Sequence, residues 1–366
     1  MKTILSGSGV AALGLILATT IGGLGTTAAL AQEWEPEFDG AVLLPLSDGF
    51  PSKPITIVAA GDAKSVTGRL AHQLANYSSL FRNKSVVVNA EYKPEFEALG
   101  NWEALKYAAS ADGGDDGHVV VVFSSPDDIL DLHVNPDAKD LGVGLDDLSE
   151  VLSIEDHRYA VAQCKDAGWD PTWEALVQQI KDNPGEVTYA GGEPGDRLDM
   201  TFAHYMKDQG IGNLYDGASI KHANTGDVGA RTDAVVACEA DVTVSDLDQL
   251  ITKKKGKEVD VVLISGDTRV ARYKDAPASS EVGIADDPMS RTMQIVVPAG
   301  VDPLHVKWLG VLLGKTSDDS YFKAGRVLDQ VMNLSHLLDD EESAALNDST
   351  DATIGALAQD LGISVK

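Results

Sequence analysis

From Phe50 onward, short apolar runs rich in β-branched residues alternate with helical patterns, and that alternation restricts the fold more than any other feature. Candidate strands are Ile55–Val58, Val86–Asn89, His118–Phe123, Tyr159–Gln163, Val187–Ala190, Asp241–Val244, Val259–Ser265 and Met293–Val297. Apolar residues recur at helical spacing over 66–80, 95–110, 171–182, 198–209, 228–237 and 246–254. The segment 303–363 is almost wholly helical in pattern, with Leu309, Leu312 and Leu313 followed by Val327, Leu328, Val331 and Met332. Such alternation implies an α/β fold with mainly parallel sheets. The stretch ITIVAAGDAKSVTGRLAHQLA, residues 55–75, reads as a strand, a tight turn at Gly61-Asp62 and a helix capped by Ser65 or Thr67. A helix starting just after a strand leaves backbone N–H groups pointing at open space, and such a place binds anions.

The chain's 366 residues are enough for two domains. Residues 1–31 are expected to be a secretory signal peptide. Lys2 precedes the apolar stretch Val10–Leu24, and Ala29-Leu30-Ala31 forms an A-x-A cleavage site, placing the cut after Ala31. No cysteine follows that site to carry a lipid, and no second stretch is long enough to span a bilayer. The mature protein is therefore expected to be exported, soluble and periplasmic. Residues 32–49 (QEWEPEFDGAVLLPLSDG) read as an irregular acidic lead-in.

Acidic residues number 57 against 29 basic ones, a formal net charge of −28. A polyanion of this kind does not bind nucleic acid or an anionic membrane through its overall field. The acids recur along the whole mature chain, as on a solvated surface adapted to a salty medium. Salt screens the self-repulsion of such a charge, so the melting temperature should rise markedly between dilute and molar salt; a flat response would sink that reading. Cys164 and Cys238 are either bridged after export or two free thiols, because sequence does not give their separation.

Most enzyme signatures are missing: there is no G-x-S-x-G, H-E-x-x-H or C-x-x-C. Gly61 and Lys64-Ser65 resemble a phosphate loop, but the glycine before the lysine is absent. The histidines do not pair at metal-ligand spacing; His204 and His222 read as surface or core-edge residues. The acid-rich segments ADGGDDGH (111–118) and NPDAKDLGVG (135–144) lack the EF-hand pattern and read as ordinary turns. No cofactor and no metal is expected.

What remains is a set of turns at strand ends: AAGDAKS (59–65), AGGEPGDR (190–197), NTGDVGAR (224–231) and VSDLD (244–248). Open α/β sheets bind ligands outside the carboxyl ends of their strands, so several such turns in one chain point to a small-molecule site between domains.

The order of segments resembles the substrate-binding receptors of tripartite tricarboxylate transporters, the Bug-type periplasmic proteins. The likeness runs through FPSKPITIV (50–58), DGHVVVVFSS (116–125), NPGEVTYAGG (183–192), GARTDAVVACEADVTVSDL (229–247), RYKDAPASSEVGI (272–284) and VVPAGVDP (296–303). It implies a two-domain fold of the type II periplasmic-binding-protein kind, with crossing strands near 151–163 and 259–265 and an interdomain ligand cleft. Domain one would be 50–150 plus 263–366, and domain two 151–262. The resemblance implies that a carboxylate is held by backbone amides and small polar groups. The matching positions are Ala60, Gly61, Asp62 and Ser65, then Ser124 and Ser125, then Gly191, Gly192, Gly195 and Asp196, then Thr225, Gly226 and Asp227, and Ser245 with Asp246.

Several positions depart from the family pattern. The first turn is shorter and carries both Asp62 and Lys64; Thr225-Gly226-Asp227 stands where Tyr-Lys-Gly is usual; and Glu193, Asp196 and Arg197 stand where small neutral residues are common. Extra acid repels an anionic ligand unless Lys64 or Arg197 compensates; the alternative is that these charges face solvent. The expectation is a monomeric solute receptor, not an enzyme, that captures a small organic anion and delivers it to the membrane permease subunits. The other readings are a periplasmic sensor for a signalling partner and a secreted enzyme with a cleft active site.

Overall fold

A computed structural model describes residues 34–96, 99–112, 114–252, 258–284, 291–328 and 338–365. The leader 1–31 with its cleavage point, and Val331 and Met332, lie outside these residues. The strands are β1 (Phe38–Asp39), β2 (Val42–Leu43), β3 (Ile55–Ala60), β4 (Val88–Lys93), β5 (Val119–Ser125), β6 (Leu148–His157), β7 (Tyr159–Cys164), β8 (Thr188–Gly191), β9 (Lys221–Asn224), β10 (Val242–Asp246), β11 (Val259–Ile264) and β12 (Arg291–Pro298). The helices are α1 (Val66–Tyr77), α2 (Gly100–Ser110), α3 (Asp127–Val134), α4 (Pro136–Asp140), α5 (Trp173–Asp182), α6 (Arg197–Asp208), α7 (Val228–Val236), α8 (Leu247–Thr252), α9 (Pro303–Asp318), α10 (Ser320–Leu328) and α11 (Asp340–Leu361).

The protein is a mixed α/β molecule with two five-stranded sheets, in the orders β4-β3-β5-β12-β6 and β11-β7-β10-β8-β9. The lobe around each is called first and second, and both belong to one compact unit from Pro36 onward. The chain passes from one sheet to the other at Arg158, the single residue between β6 and β7. It returns between β11 and β12. The two crossings are tied together: Arg158 donates to the Thr268 carbonyl at 2.6 Å, and the Ser265 hydroxyl accepts from the Tyr159 N–H at 2.8 Å.

The sheets are less parallel than the alternation implies. β3 is parallel to β4 and β5, and β8 to β9 and β10, but β12 and β7 run against both of their neighbours. The strand that follows each crossing, β7 or β12, enters its sheet reversed, which a sequence-local pattern does not record. Besides β1 and β2, two strands are missing from the candidates read from the pattern, although the resemblance implied a crossing strand near 151–163. β6 carries two register shifts against β12, and such bulges spoil the two-residue alternation of LSEVLSIEDH. β9 is a four-residue sheet-edge strand of polar sequence, KHAN. Segment 135–144 is not only turn: Pro136–Asp140 is helical, with proline in the first turn and the Asn135 side chain accepting from the Asp137 N–H. The lead-in is not wholly irregular, since β1 and β2 form a hairpin and Leu43 is fully buried.

A continuous apolar core runs through both lobes. It joins Val58, Val121, Phe123 and Trp102 of the first to Trp173, Tyr189, Phe202 and Val244 of the second, with Ile354 and Leu357 of α11. Cys164, at the end of β7, is bonded to Cys238 just beyond α7, with Cα atoms 5.3 Å apart. Among the described residues, no helix is long and apolar enough to cross a membrane.

Candidate functional site

The first turn folds as a strand–turn–helix, yet its donors are already taken. The Gly61 N–H donates to the Lys93 carbonyl at 3.0 Å. The Asp62 carboxylate accepts from the N–H groups of Lys64 (2.7 Å) and Ser65 (2.9 Å), and the Ser65 hydroxyl caps α1 by accepting from the Gly68 N–H (2.9 Å). An internal carboxylate thus occupies the cradle read from the sequence as open to an anion. Ala60 contributes its carbonyl to the Thr67 hydroxyl (2.7 Å), and Lys64 is exposed. Gly61 has φ +95°, and a Cβ there would stand 3.0 Å from the Ser65 hydroxyl oxygen. Gly61→Val should therefore cost about 1–3 kcal/mol of stability through backbone strain, with or without a ligand. An unchanged melting temperature would contradict this.

The second turn of the first lobe is more informative. β5 ends in Ser124 and Ser125, both buried, and α3 begins two residues later. The Ser124 N–H donates to Asp128 at 2.6 Å and its hydroxyl to Asp127 at 2.9 Å. Asp128 is almost wholly buried and also accepts from the Asn101 amide at 2.8 Å. Burial pushes its carboxyl up to about 7 against the lowering effect of the Asn101 and Ser124 donors; burial, then Asp127, pushes Asp131 up to about 6. Both pKa values lie above those of unfolded aspartates, so the folded state binds the extra protons. The stability they contribute is complete at low pH and is lost as pH rises through about 6 to 7. The melting temperature should accordingly fall between about pH 5 and about pH 8, and Asp128→Asn should flatten that slope. An identical slope in the variant would refute the assignment.

In the second lobe three turns close on a buried polar network. Asp196 caps α6, accepting from the N–H groups of Leu198 and Asp199, and both of its oxygens pair with Arg231 at 2.7 Å. Burial raises the Asp196 pKa, but the Arg231 hydrogen bonds and charge outweigh it and leave it lowered. Asp199 is fully buried and accepts from the Tyr189 hydroxyl (2.9 Å), the Gly192 N–H (3.1 Å) and His222 Nε2 (2.7 Å). Gly191 and Gly192 are required by packing, since a Cβ at Gly191 would lie 2.3 Å from His222 and one at Gly192 2.2 Å from Arg231. Thr225 donates to the Gly191 carbonyl, Gly226 supplies its carbonyl to Arg231 Nε at 2.7 Å, and Asp227 caps α7. Ser245 is buried and accepts from the Thr232 hydroxyl at 3.3 Å.

Arg197 brings the two lobes together. Its Nε lies 2.7 Å from Asp127 of the first lobe and its Nη2 3.2 Å from Asp246 of the second, with the guanidinium 4.8 Å from the centre of the Tyr159 ring. Burial would lower its pKa, but Asp127, and after it Tyr159 and Asp246, hold it well above an ordinary arginine. Beside it, a Cβ on Gly195 would meet Val134 of α3 at 3.2 Å. The reading in which Asp196 and Arg197 face solvent is thus corrected: both are ion-paired and largely enclosed. The structure gathers Asp127, Arg197 and Asp246 across the lobes, and Asp196, Asp199 and Arg231 behind them. It does not bring the 60–65 turn into either group, whose bonds stay within the first lobe. Sequence reading missed Asp127, Asp128, Asp199, Arg231 and Tyr159. The pair Asp127-Asp128, following a strand end at the start of a helix, was a usable signal; Arg231, inside a helix, gave none. A depression of about 350 Å³ lies elsewhere, on the first lobe between α1 and β4, lined by His72, Asn76, Arg82, Asn89 and Tyr92.

No protein-family model and no curated protein matches the sequence. Solved structures do. A TctC solute-binding protein from Polaromonas is similar with a TM-score of 0.71 at 14% identity, over 85% of this chain and 99% of that one. The periplasmic binding protein BugD matches at 0.59 and 14% identity, over 87% and 100%. A MatC protein from Rhodopseudomonas palustris with bound malate matches at 0.53 and 14%, over 85% and 100%. The chain shares the mixed α/β fold of these solute-binding proteins, built here on two sheets between which the chain crosses.

Proposed function

We propose that the protein is an extracytoplasmic solute receptor that takes a small organic anion, a carboxylate, between its lobes and presents it to a tripartite tricarboxylate-type permease. The observation that carries this reading is the meeting of strand-end turns from both sheets at Arg197, within a fold shared almost end to end with solute-binding proteins. The parallel strands β5 and β8 and the end of β10 all deliver side chains to that place, where ligands bind in open α/β sheets. Turns from two lobes give the differential contact that closure around a ligand requires. No step of bond chemistry is needed for this role.

The domain division 50–150 plus 263–366 against 151–262 belongs to this proposal, supported by the membership of the two sheets. Export by residues 1–31, cleavage after Ala31, a periplasmic location and a monomeric state belong to it as well. The ligand-holding residues proposed from the resemblance remain Ala60, Gly61, Asp62, Lys64, Ser65, Ser124, Ser125, Gly191, Gly192, Gly195, Asp196, Arg197, Thr225, Gly226, Asp227, Ser245 and Asp246. The geometry favours Arg197 and the turns around it over Gly61, whose N–H is engaged.

Native mass spectrometry of freshly purified protein, followed by thermal-shift screening of dicarboxylates in high salt, tests the reading. A ligand present at a hundred times its Kd adds about 2.7 kcal/mol of stability. The reading fails if no co-purified anion is found and no carboxylate raises the melting temperature. Sensing on the same fold is separated from transport by whether genes for the permease subunits lie beside this one.

A further inference from the structure

We propose that Asp127 is a resident carboxylate that holds Arg197 in the ligand's stead, latching the lobes together and setting the threshold that a ligand carboxylate has to overcome. This rests on the receptor reading for its purpose, but the latch itself is a property of the chain. The Asp127–Arg197 contact of 2.7 Å joins α3 of the first lobe to α6 of the second, and Asp246 lies 3.2 Å from Nη2 of the same guanidinium. One positive charge is therefore flanked by two negative ones. An entering carboxylate meets a guanidinium that is already neutralised, and gains it only as Asp127 lets go.

The neighbourhood repeats that logic. The donors that a carboxylate would use are held by the chain's own acids: Lys64 and Ser65 N–H by Asp62, Ser124 N–H by Asp128, and Gly192 N–H by Asp199. Asp127 is the member of this set that spans the lobes, and it is anchored on its own side by the Ser124 hydroxyl at 2.9 Å. Supporting contacts between the lobes lie alongside, with Lys207 of α6 paired to Asp360 of α11 and Gly195 against Val134. The pair at Arg197 is the enclosed one, with the side chains 16% and 25% exposed, against 51% and 59% for Lys207 and Asp360. Enclosed pairs are screened less by salt, so the latch holds in the ionic strength for which an acidic surface is suited.

A protein closed without ligand binds more weakly by the fraction of molecules that are open and free to bind. Asp127→Asn keeps the shape and the Ser124 contact but removes the charge. Small-angle scattering of ligand-free protein should then show a radius of gyration about 1 Å larger than wild type, whose compact chain is expected near 20 Å. Asp137→Asn, the same charge change on exposed α4, should leave it unaltered. Calorimetry with malate as the probe should show Asp127→Asn binding about tenfold more tightly. An unchanged radius of gyration in Asp127→Asn overturns the latch. If the radius rises and malate binds neither protein, the latch stands, and the carboxylate reading of the site is what fails.

Discussion

Asp199→Ala is expected to be the most damaging single change in the second lobe, lowering stability by about 3–5 kcal/mol, because it removes one partner of a buried ionic network. Asp199 is fully enclosed and collects bonds from Tyr189, Gly192 and His222, with Arg231 Nη1 at 3.4 Å. Without it, a buried hydroxyl and a buried N–H lose their acceptor, and Arg231 is left with Asp196 and the Gly226 carbonyl among the described residues. Each buried polar group left unsatisfied costs about 1–3 kcal/mol, so the two estimates agree. Chemical denaturation at neutral pH checks this, with far-UV circular dichroism to confirm that the variant still folds. Asp199→Asn is the control, since an amide retains an acceptor and should recover part of the loss. A loss below about 1 kcal/mol for the alanine variant would mean that the network is not formed in solution.

Opening the Cys164–Cys238 bridge is expected to cost about 4 kcal/mol, from the chain entropy released by a loop of 74 residues. The bridge spans most of the second lobe: between its ends lie α5, β8, α6, β9 and α7, the elements that carry Arg197, Asp199 and Arg231. Cys238→Ser should lower the midpoint of guanidinium unfolding, and reductant should lower the wild-type midpoint equally while leaving the variant unmoved. If reduced and oxidised wild type unfold together, the bridge contributes nothing to stability. A coupled effect follows under the receptor reading: a looser second lobe holds α6 less firmly, so ligand affinity should fall with stability.

The two expectations concern different layers of information. Most helices were legible because amphipathic spacing is local: α6 and α7 lie within a residue of the patterns at 198–209 and 228–237, whereas the short α3 and α4 were not read. Most strands were legible for the same reason, and the order of segments carried the two-domain fold. The strands β6 and β9 were not, because bulges and an edge position remove the periodicity on which such reading depends. At the site, the Gly-rich turns were found where strands end, but their chemistry was misread at Gly61. A turn with Asp two residues before Lys64 can leave its N–H groups open or fill them with its own carboxylate. Only the backbone conformation chooses.

What the sequence determined by itself was an acidic chain of α/β class, with turns of the right composition after its strands. Those properties follow from neighbours along the chain: apolar period, cap residues, glycine where the backbone needs it. The tertiary structure decided which charges meet. Asp127 and Arg197 are 70 positions apart, and Asp196 and Arg231 are 35 apart. Each residue taken alone is one more charge on a polyanion. Folding sets each pair within 3 Å, so Asp127 and Arg197 become a contact between the lobes and Asp196 and Arg231 one within the second, both less screened by salt than exposed charges.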